Sequence, residues 1–294
     1  MTEAPATSIS VTKLELAEAS APIVYGLALS TPVEVVNRLA VALARYRRRI
    51  RSPWRYCTPL DQAILTCAWL EGGHTYRSLG EGNGIPKSTC RTWIQEGIKV
   101  LARRALPLTE VVRLARKARW DYLIVDGVNI PTERVAAEYG KKQFWYSGKH
   151  KRHGASVTTV AAPDGELLWV SGVLPGRTVD ITAARRFKVA EKVLEFLGLL
   201  ADLGYVGLHP DVATGFKRKR GEKTLPEAKK TANRLQATLR CVGERANSQL
   251  KQHRILAIDF RGEPKQLTMV VKAVQTLHYW TRDPFGTHTV VTGS

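Results

Sequence analysis

Apolar residues recur at helical spacing in the first third of the chain and gather into short β-rich runs after it. Thr31-Pro32-Val33-Glu34 predicts a helix start, with Thr31 as N-cap, Pro32 at the first helical position and Glu34 completing a capping box. Val36, Leu39, Leu43, Tyr46 and Ile50 then form one apolar face. A second helix opens at Thr58-Pro59-Leu60-Asp61 and runs to the Gly72-Gly73 break. A short helix over about 75–81, a turn at Gly82-Asn83-Gly84 and a longer helix from about Ile85 to Arg103 follow. This is the order of a helix-turn-helix. A basic linker helix is expected over 106–119, carrying Arg113, Arg116, Lys117 and Arg119.

From residue 120 the texture changes. Tyr122-Leu123-Ile124-Val125 predicts a short strand ending at Asp126-Gly127. Two β-rich segments, 154–162 and 166–174, flank a hairpin turn at Pro163-Asp164-Gly165. One helix is expected over about 180–198, and a second short strand leads into Asp202-Leu203-Gly204-Tyr205. A long helix from about Pro226 to Leu256 and a last helix over about 264–281 complete the pattern, the latter with Leu267, Val270, Val271, Val274 and Leu277 on one side. Residues 1–27 and 286–294 are expected to lack fixed order; 28–105 form an all-α helix-turn-helix domain and 120–285 an α/β domain.

Charge narrows the partner. Among 294 residues, 45 Lys and Arg face 26 Asp and Glu, a net charge of +19 that attracts polyanions, nucleic acid first among them. Cys57, Cys67, Cys90 and Cys241 form no CxxC pair, which argues against a zinc site or a disulfide scaffold. The first residues lack a signal-peptide pattern, and no apolar run is long enough to span a bilayer. A cytoplasmic protein without membrane contact is expected.

Asp126 and Asp202 each close a short apolar run, and Glu244 lies in a helix near the end of the α/β region. An RNase H-like fold, a mixed sheet flanked by helices, places carboxylates in this way: two from neighbouring strands, one from a helix across the sheet. The separations, 202 − 126 = 76 and 244 − 202 = 42, leave room to return to one sheet centre. Three converging acids repel unless cations join them, and carboxylate oxygens suit Mg²⁺, with Mn²⁺ as a substitute. Two ions about 4 Å apart could activate a nucleophile and stabilise the leaving oxygen of a phosphodiester. On one continuous helix, Arg240, Glu244 and Lys251 fall within about 40° of each other. Glu244 also fits half of an exposed ion pair with Arg240, and Asp180 reads as a helix N-cap.

Five candidate DNA-contacting groups stand out. In the longer helix of the helix-turn-helix, Lys87, Ser88, Arg91, Thr92 and Gln95 would face outward to read the major groove, while Ile85, Cys90, Ile94, Ile98 and Leu101 pack inward. Lys149, Lys151 and Arg152 belong to a basic run suited to phosphate contact, or to a charged sheet edge. Lys217, Lys219, Arg218 and Arg220 form a basic loop. Arg45, Arg47, Arg48, Arg49 and Arg51 are a similar sequence-independent contact. Arg240 and Lys251 flank Glu244.

These elements together resemble bacterial insertion-sequence transposases of the DDE superfamily endonuclease type with an N-terminal helix-turn-helix. The resemblance spans about 28–282 and rests on Leu123-Ile124-Val125-Asp126-Gly127, the run Tyr146 to His153, Leu174 to Asp180, Ala201 to Gly207 and Gly243 to Lys251. Related transposases carry Tyr-x2-Arg-x3-Glu-x6-Lys around the third carboxylate; Arg240, Glu244 and Lys251 match, and Ala237 stands at the tyrosine position. The resemblance implies Mg²⁺-dependent cleavage at the element's ends and attack of the freed 3′-hydroxyl on target DNA. Asp126, Asp202 and Glu244 would hold the metal ions. Double-stranded DNA is the implied partner, and a homodimer or larger synaptic oligomer the implied assembly. A transposase-derived DNA-binding regulator and an RNase H-like host nuclease are the competing functions.

Overall fold

The computed structural model describes residues 9–11, 27–52, 56–134, 144–218 and 224–286. Within the stretch expected to lack order, β1 (Ile9–Val11) pairs antiparallel with β2 (Leu27–Leu29).

Helix α1 (Val33–Arg49) forms where the apolar spacing predicts, with Val36, Leu39 and Leu43 buried. Its start differs from expectation. Pro32 is the N-cap and no side chain caps the helix. Thr31 and Ser30 instead give their backbone N–H and hydroxyl groups to the two Glu71 carboxylate oxygens, a pairing with the end of the next helix that sequence spacing does not reveal. That next helix, α2 (Pro59–Gly72), begins with the Thr58–Asp61 capping box and ends at Gly73 in the left-handed region. Helix α3 (Tyr76–Gly82) is capped by Thr75, and α4 (Lys87–Ala102) buries Cys90, Ile94, Ile98 and Leu101. Arg47 leaves the basic run to which the sequence assigns it: it is buried, and its guanidinium bonds the Cys57 carbonyl and the Gln62 amide oxygen. Helix α5 (Leu108–Lys117) follows.

The sheet is mixed. Its central strand β3 (Tyr122–Pro131) is antiparallel to β5 (Arg152–Ala161) on one side and parallel to β8 (Gly198–Leu200) on the other. β9 (Val212–Ala213) extends it in parallel beyond β8. Three short strands, β4 (Tyr146–Ser147), β6 (Leu167–Val170) and β7 (Leu174–Pro175), pair antiparallel with β5. β3 is longer than the sequence suggests. It runs through Asp126-Gly127 because β5 keeps hydrogen-bonding it as far as Pro131.

Helices cover both faces. α5 and α7 (Val189–Leu194) pack with Leu123, Val125, Leu199 and Val212 on one face. On the other, Ile124, Val128 and Ile130 join a core shared with α9 (Gly243–Gln252), α10 (Pro264–Arg282), α1, α2 and α4. α10 therefore buries Ala273, Gln275, Thr276 and His278 besides the predicted stripe, since it lies between the sheet and α4. Two predicted single helices are broken. The first divides into α6 (Asp180–Arg186) and α7 at Lys188, which has φ 53°. The second divides into α8 (Glu227–Cys241) and α9 at Val242-Gly243.

Cys57, Cys67 and Cys90 are free and buried. Among the described residues no helix is long and apolar enough to cross a membrane.

Candidate active site

Two carboxylates follow the parallel pairing of β3 with β8. Tyr122 pairs with Gly198, Leu123 with Leu199 and Ile124 with Leu200, a constant offset of 76 (198 − 122). Past that pairing Asp126 continues β3 and Asp202 follows the end of β8, near enough for both carboxylates to act on Lys149 and Tyr205. Hydrophobic strand cores bring both aspartates here: Leu123, Ile124, Val125 and Leu199 are buried, and each chain turns polar where the parallel pairing stops.

Each carboxylate is held locally. Asp126 Oδ1 accepts from the Gly127 N–H at 2.8 Å, and Oδ2 accepts from the Asn247 side-chain amide at 2.8 Å. The Asn247 amide oxygen accepts from the Thr159 hydroxyl at 2.9 Å, and Thr159 is the cross-strand partner of Asp126. Helix α9 reaches this strand because Gly243 has no side chain: a Cβ there would sit 2.8 Å from Ile124 Cγ2. Asp202 caps the short 3-10 turn Leu203–Tyr205, accepting the Gly204 N–H at 2.8 Å.

A third aspartate lies across β3 from the Asp126 side chain, on the face that a side chain at 127 would occupy. Asp180 is the first residue of α6, Val179 is its N-cap, and no side chain caps the helix. The N-cap role expected of Asp180 is thus replaced by an ion pair, Lys149 Nζ to Asp180 Oδ2 at 3.0 Å. The Asp180 carboxylate fills the space over Gly127, where any Cβ would collide with it. Tyr205 is buried, 1% exposed, and its hydroxyl has no hydrogen-bond partner among the described residues. Burial, then the charges of Asp180, Asp126 and Asp202, push that phenol far above its usual range. Lys149 is held above the ordinary lysine value by Asp180 first, with Asp202 and Asp126 adding to the effect.

A cationic rim adjoins the acids. Burial and the neighbouring Arg152 lower the Lys251 ammonium. Burial, Lys149, Arg152 and Lys251 lower His150, against the pull of Asp180. Lys251, distant in sequence, therefore shares a neighbourhood with Lys149 and Arg152. Lys151 is exposed at the tip of the preceding turn with φ 51°.

Glu244 lies in the first turn of α9, exposed, and its carboxylate makes no ion pair or hydrogen bond among the described residues. It precedes Asn247 by three residues, so both lie on one side of the helix. Arg240 belongs to α8, ahead of Val242, and its side chain lies outside the described residues. Ala237 is exposed on α8. Among the described residues, no three His, Cys, Asp or Glu side chains stand together at metal-ligand spacing.

Away from this centre, Lys87, Ser88, Arg91 and Thr92 are exposed on α4. Gln95 differs from expectation. It is half-buried and hydrogen-bonded to Tyr76, whose ring stacks on Trp69 at 5.4 Å and so brings the phenol under α4. Lys87 and Arg91 line a cleft of about 570 Å³ whose opposite wall is the 258–263 segment. Lys217 and Arg218 are exposed, whereas Lys219 and Arg220 lie outside the described residues.

The sequence model of the DDE superfamily endonuclease family matches residues 125–279. That is more than half of the chain, and the protein belongs to this family. The match begins one residue before Asp126 and includes Asp180, Asp202, Glu244 and Asn247. No curated protein and no solved structure matches the chain.

Asn247, Thr159 and Tyr205 escape a search for charged residues. Asn247 could have been noticed as the polar residue one helical turn beyond Glu244, and Tyr205 as part of the Asp202-Leu203-Gly204-Tyr205 run. Thr159 carries no local signal, because its role comes only from strand register.

Proposed function

We propose that this chain is a DNA transposase of insertion-sequence type, with an RNase H-like catalytic domain that cleaves phosphodiester bonds and a helix-turn-helix that reads the element's ends. The observation carrying this reading is the placement of Asp126 on β3 and of Asp202 just past the end of its parallel neighbour β8, both inside the family match. Two neighbouring carboxylates suit a divalent cation that takes its other ligands from water and DNA phosphate, as Mg²⁺ does. Such a cation would supply activation of water and neutralisation of charge on the phosphate.

The chain's own groups do the rest. Asn247 and the Gly127 N–H fix the Asp126 carboxylate, and the Gly204 N–H fixes that of Asp202. Lys251 and Arg152 sit where a phosphodiester backbone approaching the acids would pass, and their clustering is relieved by its negative charge. Glu244, on the Asn247 side of α9, completes the acidic set from the helix. Hydrolysis adds water across the P–O3′ bond, leaving a 5′-phosphate and a free 3′-hydroxyl that serves as nucleophile in strand transfer. Helices α2, α3 and α4 form the reading unit, with Lys87, Ser88, Arg91 and Thr92 presented on α4.

The test is cleavage of duplexes carrying the element's ends by Asp126→Asn, Asp202→Asn and Glu244→Gln. Each change removes one charge at constant volume, so cleavage should disappear while folding and DNA binding persist. Wild-type cleavage by any one variant removes that residue from the site. Full activity in excess EDTA overturns the cation requirement.

A further inference from the structure

We propose that α1 and the end of α4 form a trough for the phosphate backbone of duplex DNA, held by Arg45, Arg49, Arg103 and Arg104. It is distinct from the acids and from the exposed first turns of α4. This rests on the reading of duplex DNA as the partner, and it divides the arginine run that the sequence treats as one contact.

The run does not act as a block. Arg47 is turned inward to Cys57 and Gln62, and Arg51 lies past the helix with φ 52°. Arg45 and Arg49 instead share a stripe of α1 with Arg38: at about 100° per residue the three fall within about 40° of one another. That stripe covers 11 residues (49 − 38), about 16 Å of helix. Arg103 and Arg104, where α4 ends, meet it from the side because α1 packs against α4. Two adjoining cavities open between them. One, of about 430 Å³, is lined by Arg45, Arg49, Arg103 and Arg104 together with Tyr46 and Val100. The other, of about 710 Å³, shares Arg45 and Arg104 and continues past Arg38 to Trp280. No residue lining either cavity belongs to the acids or their cationic rim.

The cluster carries uncompensated charge. Arg45, Arg49 and Arg103 are exposed and enter no ion pair among the described residues. Glu110 on the cavity wall is bound to Arg113 at 2.6 Å, and Asp283 draws on Arg38 at the far end. Burial first, then the charges of Arg49, Arg45 and Arg38, lower the Arg104 guanidinium. Two of the groups are held before any ligand arrives. Arg49 lies over the Tyr46 ring at 5.4 Å, and Arg104 donates to the Val100 carbonyl at 2.6 Å. Like charges fixed together repel, and a polyanion relieves that repulsion. Length selects the occupant. Successive phosphates of one DNA strand rise about 3.4 Å, so about 16 Å of stripe runs beside about five of them. A single phosphate would engage one end only. Arginine forks suit phosphate oxygens in pairs.

The test is equilibrium binding of the full-length protein to a duplex carrying the element's end and to a scrambled duplex, over a series of salt concentrations. Arg45→Gln with Arg103→Gln should weaken both duplexes alike, by about tenfold or more at 0.1 M salt, and lower the salt slope by about 1.8, which is about 0.9 for each phosphate no longer neutralised. Arg48→Gln with Arg51→Gln removes the same charge from the same run outside the trough, and should leave the slope nearly unchanged. Arg45→Lys with Arg103→Lys keeps the charge and should keep the slope, which separates lost phosphate contact from a folding defect. An equal loss of slope in the two glutamine pairs, or none in the Arg45 and Arg103 pair, overturns the trough while wild-type DNA binding leaves the wider reading in place. If inorganic phosphate binds saturably, and the Arg45 and Arg103 pair loses it with DNA affinity unchanged, the occupant is a small anion and the proposal falls. If the wild-type protein binds no duplex, both readings fall.

Discussion

Replacing Asn247 by Ala removes the side-chain amide that holds Asp126 Oδ2 at 2.8 Å and frees the Thr159 hydroxyl from its 2.9 Å bond. A hydrogen bond to a charged acceptor contributes about 1.5–3 kcal/mol. Asn247 is half-buried, so a loss of about 2 kcal/mol is expected, which for a chain of this size lowers Tm by roughly 4–8 °C. If Asp126 must keep this orientation to act, the same 2 kcal/mol appears in the barrier as a cleavage rate about 30-fold slower. Asn247→Asp separates orientation from packing. It preserves the shape but puts a second carboxylate against Asp126, which raises the pKa of the pair and moves the acidic limb of the rate profile to higher pH. Thermal melts and single-turnover cleavage over pH 5.5–9 measure both effects. An Asn247→Ala protein with wild-type Tm and rate, or an Asn247→Asp protein with an unshifted pH profile, would refute the assignment of Asn247 as the residue that positions Asp126.

Three further outcomes are expected. Burial pushes the His253 imidazole down to about 4, with Glu71 opposing and His278 adding to the shift. The unfolded chain therefore takes up this proton first, and stability held above pH 6.5 should be lost as pH falls towards 4, by up to about 3 kcal/mol; urea midpoints of His253→Gln should lack this part of the decline, and an identical decline in both proteins would remove His253 as its cause. In the full chain, Arg91→Ala should reduce the preference for the terminal sequence over a scrambled duplex by about 1–3 kcal/mol. Lys217→Ala with Arg218→Ala should instead weaken both duplexes alike and lower the salt slope by about 0.9 for each phosphate no longer neutralised; the reverse pattern in titrations at two salt concentrations would exchange the reader and the clamp.

Much of the architecture is local enough to be read along the chain. The spacing of Val36, Leu39 and Leu43, the Thr58–Asp61 capping box and the β-branched run before Asp126 each specify their element by neighbouring residues alone. Asp126 and Asp202 are legible for the same reason, since each is the first acid after a short apolar run. Positions set by partners distant in sequence are not legible. Glu71 takes Thr31 from its helix, Cys57 and Gln62 draw Arg47 inward, and Tyr76 engages Gln95. Each choice depends on which helix packs alongside, and the energy difference between capping and cross-helix bonding is too small for local pattern to decide.

The candidate site shows the same division. Sequence by itself determined the residue types, the net positive charge and the two aspartates that each follow a short apolar run. Tertiary structure decided that Asn247 contacts Asp126, that Asp180 covers Gly127 beside Lys149, and that the Tyr205 hydroxyl is buried within reach of the acids' charge. Strand register and the close approach of α9 and α6 create those contacts, and both follow from burying apolar faces across the whole sheet. Hydrophobic burial is not directional, so the segments at either end of such a contact carry no mark of which partner they will meet.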